Sequence, residues 1–123
     1  MPKVIIDTSS ILFGIKLKKD VFEVARLAIP GCELIISKGI VGELNGINMG
    51  GGRRREEAGI ALRLLKKHKI HINKSEEYPD SWIYKAAVKY KNSIVITNDT
   101  ALLKKIGSAG GMARRLSVGG SLK

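Results

Sequence analysis

Four acidic residues in this chain each follow a short apolar segment of the kind that forms buried strands: Asp7, Glu43, Asp80 and Asp99. The apolar segments, in chain order, are 4–6, 34–36, 70–72 and 94–96. Asp7 follows its segment directly, and two residues separate Asp99 from its own. Carboxylates brought together in this way could hold a divalent cation, so the elements that position them decide what they can do.

The stretches between these segments carry apolar residues at helical spacing. The clearest example is 20–29, where Asp20 and Glu23 form a capping-box pattern and Pro30-Gly31 ends the run. Other helices are predicted around Glu43, over 58–68, from Pro79 onward and over 101–106. Loops are predicted at 7–10 and at the basic segment 50–55. Strands that alternate with helices predict an α/β fold, a three-layer α/β/α sandwich around a central, mostly parallel sheet.

The whole chain, residues 1–123, is predicted to form one domain, because its length suits a single hydrophobic core. The glycine-rich, basic segment 108–123 is expected to be poorly ordered, with at most one edge strand near 113–118. No apolar run approaches the roughly 20 residues that a membrane span needs. A charge follows the N-terminus too early for a secretory signal, and Cys32 is the only cysteine. We therefore expect a cytoplasmic protein without disulfides or membrane contact.

The predicted topology should bring the acidic residues together. In a parallel sheet with right-handed crossovers, the carboxyl ends of the strands lie along one edge. Asp7, Glu43 and Asp99 should face one crevice there, and Asp80 would open a helix on the same edge. Four such carboxylates repel one another unless a cation neutralises them. Mg²⁺ or Mn²⁺ suits an oxygen-rich site, where paired ions can activate water and stabilise the leaving oxygen of a phosphodiester.

Each acidic residue also has a simpler interpretation. Asp7 and Asp99 could be helix caps. Asp80 could be favoured by a helix dipole, and Glu43 could be an exposed helix residue. Taken one at a time, these roles are the more common ones. Taken together they are less convincing, because only 11 acidic residues are available on a strongly basic background.

Two polar residues, Ser9 and Asn98, stand close in sequence to these acids. Ser9 is predicted to join the catalytic group as a hydrogen-bonding support for the metal ligands, because no histidine is placed to activate it as a nucleophile. Asn98 could orient a ligand or a phosphate, with a turn or capping role as an equal alternative. His68 and His71 flank a predicted helix-to-strand turn, so zinc is not favoured.

The charge balance predicts a polyanionic partner. The chain has 22 Lys and Arg residues against 11 Asp and Glu, which gives a net charge of +11 and a pI near 10.0. Such an excess also occurs in proteins that are merely soluble or that touch anionic membranes, so the position of the charge matters more than its total.

Four short motifs occur along the chain in a recognisable order: Val4-Ile5-Ile6-Asp7-Thr8-Ser9, Val41-Gly42-Glu43-Leu44, Asp80 before Ile83 and Ala86-Ala87, and Ile96-Thr97-Asn98-Asp99 followed by Leu102-Leu103. The pattern resembles the PIN-domain family over nearly the whole chain. This resemblance implies an endoribonuclease with two metal ions, Mg²⁺ or Mn²⁺, held by the acids of the four motifs. It also implies RNA as the substrate.

The segment 50–55 before Ala61-Leu62 makes the chain look more like archaeal relatives of the rRNA-processing PIN nucleases than like VapC-type toxins. Both roles stay open, and the corresponding partners would be ribosome-assembly proteins or an antitoxin. The resemblance also implies a homodimer. Relatives often carry paired aspartates where this chain has Asp80-Ser81, and the usual late segment is replaced by 111–115.

Those departures leave an alternative, a catalytically inactive PIN-like scaffold that binds RNA or protein. A receiver-like signalling domain is less favoured, because its paired acids and late lysine are missing. If RNA is cut, flanking cations should hold its backbone against the acidic crevice. The candidates, each with an ordinary solvated charge as its alternative, are Arg53, Arg54, Arg55, Lys104, Lys105, Arg114 and Arg115.

Overall fold

The structure, a computed structural model, describes residues 1–123 and contains five strands and six helices in alternation. In chain order these are β1 Lys3–Ile6, α1 Thr8–Lys16, α2 Val21–Ala28, β2 Glu33–Ser37, α3 Lys38–Met49, α4 Arg53–Lys67, β3 His71–Asn73, α5 Pro79–Lys89, β4 Ser93–Ile96, α6 Thr100–Ser108 and β5 Met112–Arg114.

The five strands form one sheet in the order β3-β2-β1-β4-β5, and every neighbouring pair is parallel. β1 lies at the centre, with Val4 opposite both Leu34 of β2 and Ile94 of β4. The chain extends the sheet first from β1 through β2 to β3, and then returns to β4 and β5 on the other side. This reversal places the topological switch point between β1 and β4, where open parallel sheets have their ligand crevice.

Helices cover both faces of the sheet, as the predicted three-layer sandwich requires. α1, α2, α3 and α4 pack against one another in one layer, whereas α5 and α6 pack together on β4 and β5. One cluster of 26 buried apolar residues fills the interior, and the consecutive strand residues Val4, Ile5 and Ile6 are fully buried within it. Such uninterrupted burial is typical of a parallel sheet covered on both sides. No helix has the length and apolar character that a bilayer crossing would need.

Two predicted loops are helical in the structure. Helix α1 begins at Thr8, directly after β1, so the segment predicted as a loop at 7–10 is instead its first turn. The arginines of the predicted basic loop form the first turn of α4. Gly52, with φ +86°, turns the chain into this helix, and arginine is itself a good helix former. The predicted loops were therefore wrong at 8–10 and 53–55, whereas Asp7 and residues 50–52 do lie outside the helices.

The C-terminal segment is tied to the loop after β4. The edge strand is only Met112–Arg114, slightly earlier and shorter than expected, and Leu116 then forms an antiparallel bridge with Leu122. The side chain of Asn98 binds Leu116 at both backbone groups: Asn98 Nδ2 donates to the Leu116 carbonyl at 2.9 Å, and the Leu116 N–H donates to Asn98 Oδ1 at 3.2 Å. The Asn98 side chain thus pairs with the Leu116 backbone through one donor and one acceptor, as a neighbouring strand would.

Candidate active site

The crevice between β1 and β4 is built around Asp7. Its carboxylate is 5% exposed and follows the last residue of β1. Two hydroxyl groups donate to the same oxygen, Asp7 Oδ2: Ser9 Oγ at 2.6 Å and Thr97 Oγ1 at 2.8 Å. Because one donor comes from α1 and the other from the end of β4, the Asp7 side chain is held by both sides of the crevice. Its other oxygen, Oδ1, accepts no hydrogen bond from the protein.

Thr97 and Ser9 extend this network to the loop that follows β4. Thr97 Oγ1 accepts a hydrogen bond from the Asp99 N–H at 3.1 Å, and Ser9 Oγ accepts one from the Asn98 N–H at 3.0 Å. Each hydroxyl therefore donates to Asp7 and accepts from the β4 loop. The two hydroxyls fix the position of the loop that carries Asp99 relative to Asp7.

Asp99 caps helix α6. Its Oδ1 accepts a hydrogen bond from the Leu102 N–H at 3.1 Å, the usual N-cap contact. The capping role that its sequence position allowed is therefore present. This contact uses one oxygen only, so the half-buried carboxylate keeps its second oxygen for another ligand.

Asp80 completes a group of three carboxylates. It lies in the first turn of α5, after Pro79 at the first helical position. Partial burial raises the pKa of Asp80 above its ordinary value, and the negative charges of Asp7 and Asp99 raise this pKa further. The charge of Lys105 opposes the shift. The charges of Asp7 and Asp99 thus both act on Asp80.

Glu43 has a different position. It lies in the interior of α3, on an exposed part of that helix, and its Oε1 accepts a hydrogen bond from Thr8 Oγ1 at 2.7 Å. Thr8 directly follows Asp7, so Glu43 borders the crevice through this contact. Its charge is not among those that raise the pKa of Asp80. The pKa of Asp80 thus relates Asp7, Asp80 and Asp99 to one another, whereas Glu43 meets the margin of the crevice through Thr8.

The arrangement suits a cation that keeps part of its water shell. No three His, Cys, Asp or Glu side chains are close enough together to hold a metal ion by themselves. Mg²⁺ rarely uses such a cage, and is usually bound by one or two carboxylates together with water and substrate phosphates. The donor set is made of carboxylate oxygens whose mutual repulsion a cation would relieve. The residues present therefore fit a hard divalent cation.

The comparison with known proteins agrees with this geometry. A family model described as a PIN like domain matches residues 4–114. The chain belongs to the PIN-like domain family. The resemblance predicted from the four motifs is thereby confirmed, and so is the α/β sandwich.

Two solved structures resemble this PIN domain along most of its length. The structure of the PIN domain endonuclease Utp24 has a TM-score of 0.77 and 28% sequence identity, over 94% of this chain and 85% of that one. A domain of a functionally unknown protein from Methanocaldococcus jannaschii DSM 2661 has a TM-score of 0.69 and 24% identity, over 94% of this chain and 91% of that one. The second likeness concerns the fold alone. A search of curated proteins finds no match.

The basic residues predicted to hold RNA lie in different places on the PIN domain. Lys105 is near the acids, where its charge acts on Asp80, and its ammonium lies 4.5 Å from the centre of the Tyr84 ring. Arg54 lines a small cavity that also includes Ser9. The remaining candidates are exposed and form no hydrogen bond or ion pair with the acidic residues: Arg53, Arg55, Lys104, Arg114 and Arg115.

Several residues of the site were not predicted from the sequence. Thr97 lies within a motif that was recognised, but its hydroxyl contact with Asp7 was not foreseen, nor was the contact between Thr8 and Glu43. A threonine directly beside a motif acid was the only available signal. Glu57, buried on α4 beside the crevice, gave no signal at all, because a glutamate on a charged helix is normally exposed.

We expect Asp80→Asn to stabilise the metal-free protein at neutral pH. Because folding raises the pKa of Asp80, wild-type stability falls as the pH rises through that value, and asparagine does not ionise. The melting temperature at pH 7, measured with chelator, should rise by about 2 °C. The gain should vanish as the pH falls below the ordinary aspartate pKa of 3.8, where Asp80 is protonated in both the folded and the unfolded protein. Glu76→Gln, an equal charge change at an exposed site, should produce no such rise; an equal rise would contradict the explanation.

Proposed function

We propose that this PIN domain is a metal-dependent endoribonuclease that hydrolyses RNA phosphodiester bonds. The observation that carries the proposal is the placement of Asp7 and Asp99 at the switch point of the sheet, where Thr97 Oγ1 donates to Asp7 and accepts from the Asp99 N–H. The charges of both residues also raise the pKa of Asp80, which opens α5. An electrostatic arrangement of this kind costs stability, which is typical of functional sites rather than of structural ones.

In this proposal the carboxylates of Asp7, Asp80 and Asp99 would hold Mg²⁺ or Mn²⁺ together with water molecules and the phosphate of the substrate. When bound, the metal would lower the pKa of a water molecule and stabilise negative charge on the leaving oxygen. The protein's own hydroxyls orient the ligands: Ser9 and Thr97 both donate to Asp7 and leave its Oδ1 free. Their role is to position the ligand, since no group is placed to make Ser9 a nucleophile.

Glu43 has a supporting role in this scheme. Its carboxylate accepts the Thr8 hydroxyl at 2.7 Å, and it remains exposed at the margin of the crevice. From this position its carboxylate would be available to water molecules or to a second cation. Asn98 supports the site from the other side, because Ser10 Oγ donates to its Oδ1 at 2.6 Å.

RNA is proposed as the substrate because the net charge of +11 favours a polyanion. The similar structure of Utp24 is that of a PIN domain endonuclease. Between the two cellular roles that the family allows, processing of rRNA is favoured over a VapC-type toxin by the segment 50–55, which resembles archaeal relatives of the rRNA-processing PIN nucleases. Lys105 beside Asp80 is the basic residue best placed to meet a phosphate near the reacting bond.

A catalytically inactive scaffold that binds RNA or protein is the second candidate. It is favoured by Ser81, where relatives often have a further aspartate, and by the lack of any preformed three-ligand metal group. The two candidates predict the same fold and similar RNA affinity, so only a measurement of cleavage distinguishes them.

The test is incubation of the purified protein with a labelled structured RNA in Mn²⁺, in Mg²⁺ and in excess chelator. The proposal expects defined cleavage products with metal and none with chelator, and restored cleavage when metal is added back. Zn²⁺ at the same concentration should be a poor substitute, because carboxylates without histidine or cysteine suit harder cations. RNA binding without cleavage under all conditions would identify the scaffold.

Arg54→Ala should weaken RNA binding more than Arg55→Ala, although both remove one positive charge from the same helical turn. Arg54 lines the cavity that includes Ser9, whereas Arg55 lines another cavity with Asn48 and Arg63. Loss of a phosphate contact should reduce affinity about fivefold and lower the slope of log affinity against log salt by about one. Equal effects of the two substitutions, measured by fluorescence anisotropy, would show that only net charge matters.

A further inference from the structure

A second concave feature lies beside the carboxylate crevice. It is a cavity of about 240 Å³ between α1 and α4, and residues lining it include Phe13, Lys16, Arg54 and Glu57. Ser9 and Asn98 also line it, and both belong to the hydrogen-bond network around Asp7. A molecule bound in this cavity would therefore lie directly next to the site of proposed phosphodiester cleavage.

Glu57 is the unusual residue of this cavity. It is 7% exposed, and its Oε1 is the one buried side-chain polar atom in the protein that makes no hydrogen bond. None of the three ion pairs in the structure includes Glu57. A buried carboxylate oxygen without a donor is costly and is rare in folded proteins unless the group has a use. Because Glu57 also lines the cavity, a ligand with N–H groups could supply the donor that the protein does not.

The rest of the cavity restricts the ligand further. Leu12 and Phe13 offer apolar surface to a flat ring. Lys16 and Arg54 are exposed at the cavity, so they would repel a free cation and attract a phosphate. A nucleotide matches this combination, because it has a flat base with hydrogen-bond donors at one end and a phosphate at the other.

We propose that this cavity binds one unpaired base of the RNA substrate and prefers guanine, an inference that rests on the proposed ribonuclease function. Guanine presents two adjacent donors, N1–H and the N2 amino group, which can pair with both oxygens of the Glu57 carboxylate. Adenine and cytosine present one amino group, and uracil presents one N–H between two carbonyl oxygens that repel a carboxylate. Oε1 is enclosed in the present side-chain conformation, so the pairing requires the Glu57 side chain to change its torsions on binding; the terminal torsion is broad and soft.

The test measures binding without metal, so it does not depend on cleavage. Four fluorescent ten-nucleotide RNAs are compared in chelator: all uridine, and the same chain with one central guanosine, adenosine or cytidine. Wild type should bind the guanosine oligonucleotide at least about fivefold more tightly than the all-uridine one. Glu57→Gln, which replaces one acceptor oxygen with a donor, should bind all four within about twofold of one another.

Two further variants separate base recognition from charge and folding. Arg54→Ala should reduce the affinity for all four oligonucleotides by a similar factor and keep their order of affinity. Glu56→Gln, an equal charge change at the exposed neighbour, should keep the ranking and raise all four affinities by a common factor of at most about twofold. If Glu57→Gln melts well below the wild type, a competition experiment on the wild type replaces the measurement on that variant. GMP should then displace the guanosine oligonucleotide, and UMP should not.

Equal binding of the four oligonucleotides by wild type, or a guanosine preference that survives in Glu57→Gln, would overturn this inference. Equal competition by GMP and UMP would do the same. A GMP affinity equal to that of the oligonucleotide would make a free nucleotide the ligand and overturn the assignment to RNA. Because none of these measurements needs cleavage, a failure of the nuclease proposal is seen separately in the metal experiment.

Discussion

Replacing Asp7 by asparagine is expected to abolish metal-dependent RNA cleavage, with a loss of about a thousandfold or more. The substitution removes the negative charge at the centre of the crevice and keeps the shape of the side chain. The asparagine oxygen can still accept the hydroxyls of Ser9 and Thr97, which donate to a single carboxylate oxygen in the wild type. The amide group then occupies the other position, where it offers N–H donors and no ligand to a cation.

The measurement is single-turnover cleavage of a labelled RNA at saturating Mn²⁺, with thermal melting to show that the variant is folded. Glu76→Gln serves as the matched control, because it removes one carboxylate charge from an exposed side chain that forms no ion pair. RNA affinity of Asp7→Asn in chelator should equal or exceed that of the wild type, since a negative charge has been removed. Unchanged turnover in the folded variant would remove Asp7 from the mechanism.

The positions of the acidic residues could be predicted from the sequence because they depend on topology alone. Apolar runs such as 4–6 and 94–96 predicted central parallel strands, and a parallel sheet brings the residues that follow such strands to one edge. Asp7 and Asp99 follow those strands closely, so little uncertainty remained about where they would lie. Glu43 was harder to place, because a helix residue several positions after its strand can point away from the crevice.

The first turn of α4 could not be predicted, since local sequence there favours two structures. Three glycines followed by three arginines resemble a flexible loop, yet the arginines are also good helix formers. The start of the helix is decided by the positive φ of Gly52 and by the packing of α4 against α1 and α3. The same packing buries Glu57, and no local pattern distinguishes it from the exposed Glu56.

The hydroxyl network was also beyond sequence analysis, because it depends on strand register. Thr97 reaches Asp7 only because β1 and β4 pair with Ile6 opposite Ile96, which puts the residues after both strands side by side. A shift of one residue would turn the Thr97 hydroxyl to the other side of the sheet. Pairing partners of this kind become known only when the sheet order is known.

Asp99 has two roles that substitution can separate, and the second large effect expected concerns this residue. It caps α6 through the Leu102 N–H, and its charge acts on Asp80. Asparagine is as good an N-cap as aspartate, whereas alanine is a poor one. Asp99→Asn should therefore lose cleavage by at least about a hundredfold while its free energy of unfolding stays within about 0.5 kcal/mol of the wild type.

Asp99→Ala should show the same loss of cleavage and, in addition, a loss of about 1 kcal/mol in the free energy of unfolding, measured by urea denaturation. The difference between the two variants isolates the cap, because both lack the charge. If Asp99→Asn keeps wild-type cleavage while Asp99→Ala loses it, the residue acts only through the helix start. If both variants lose cleavage equally but differ in stability, the charge of Asp99 is needed for cleavage. Its capping oxygen then contributes to the stability of the fold.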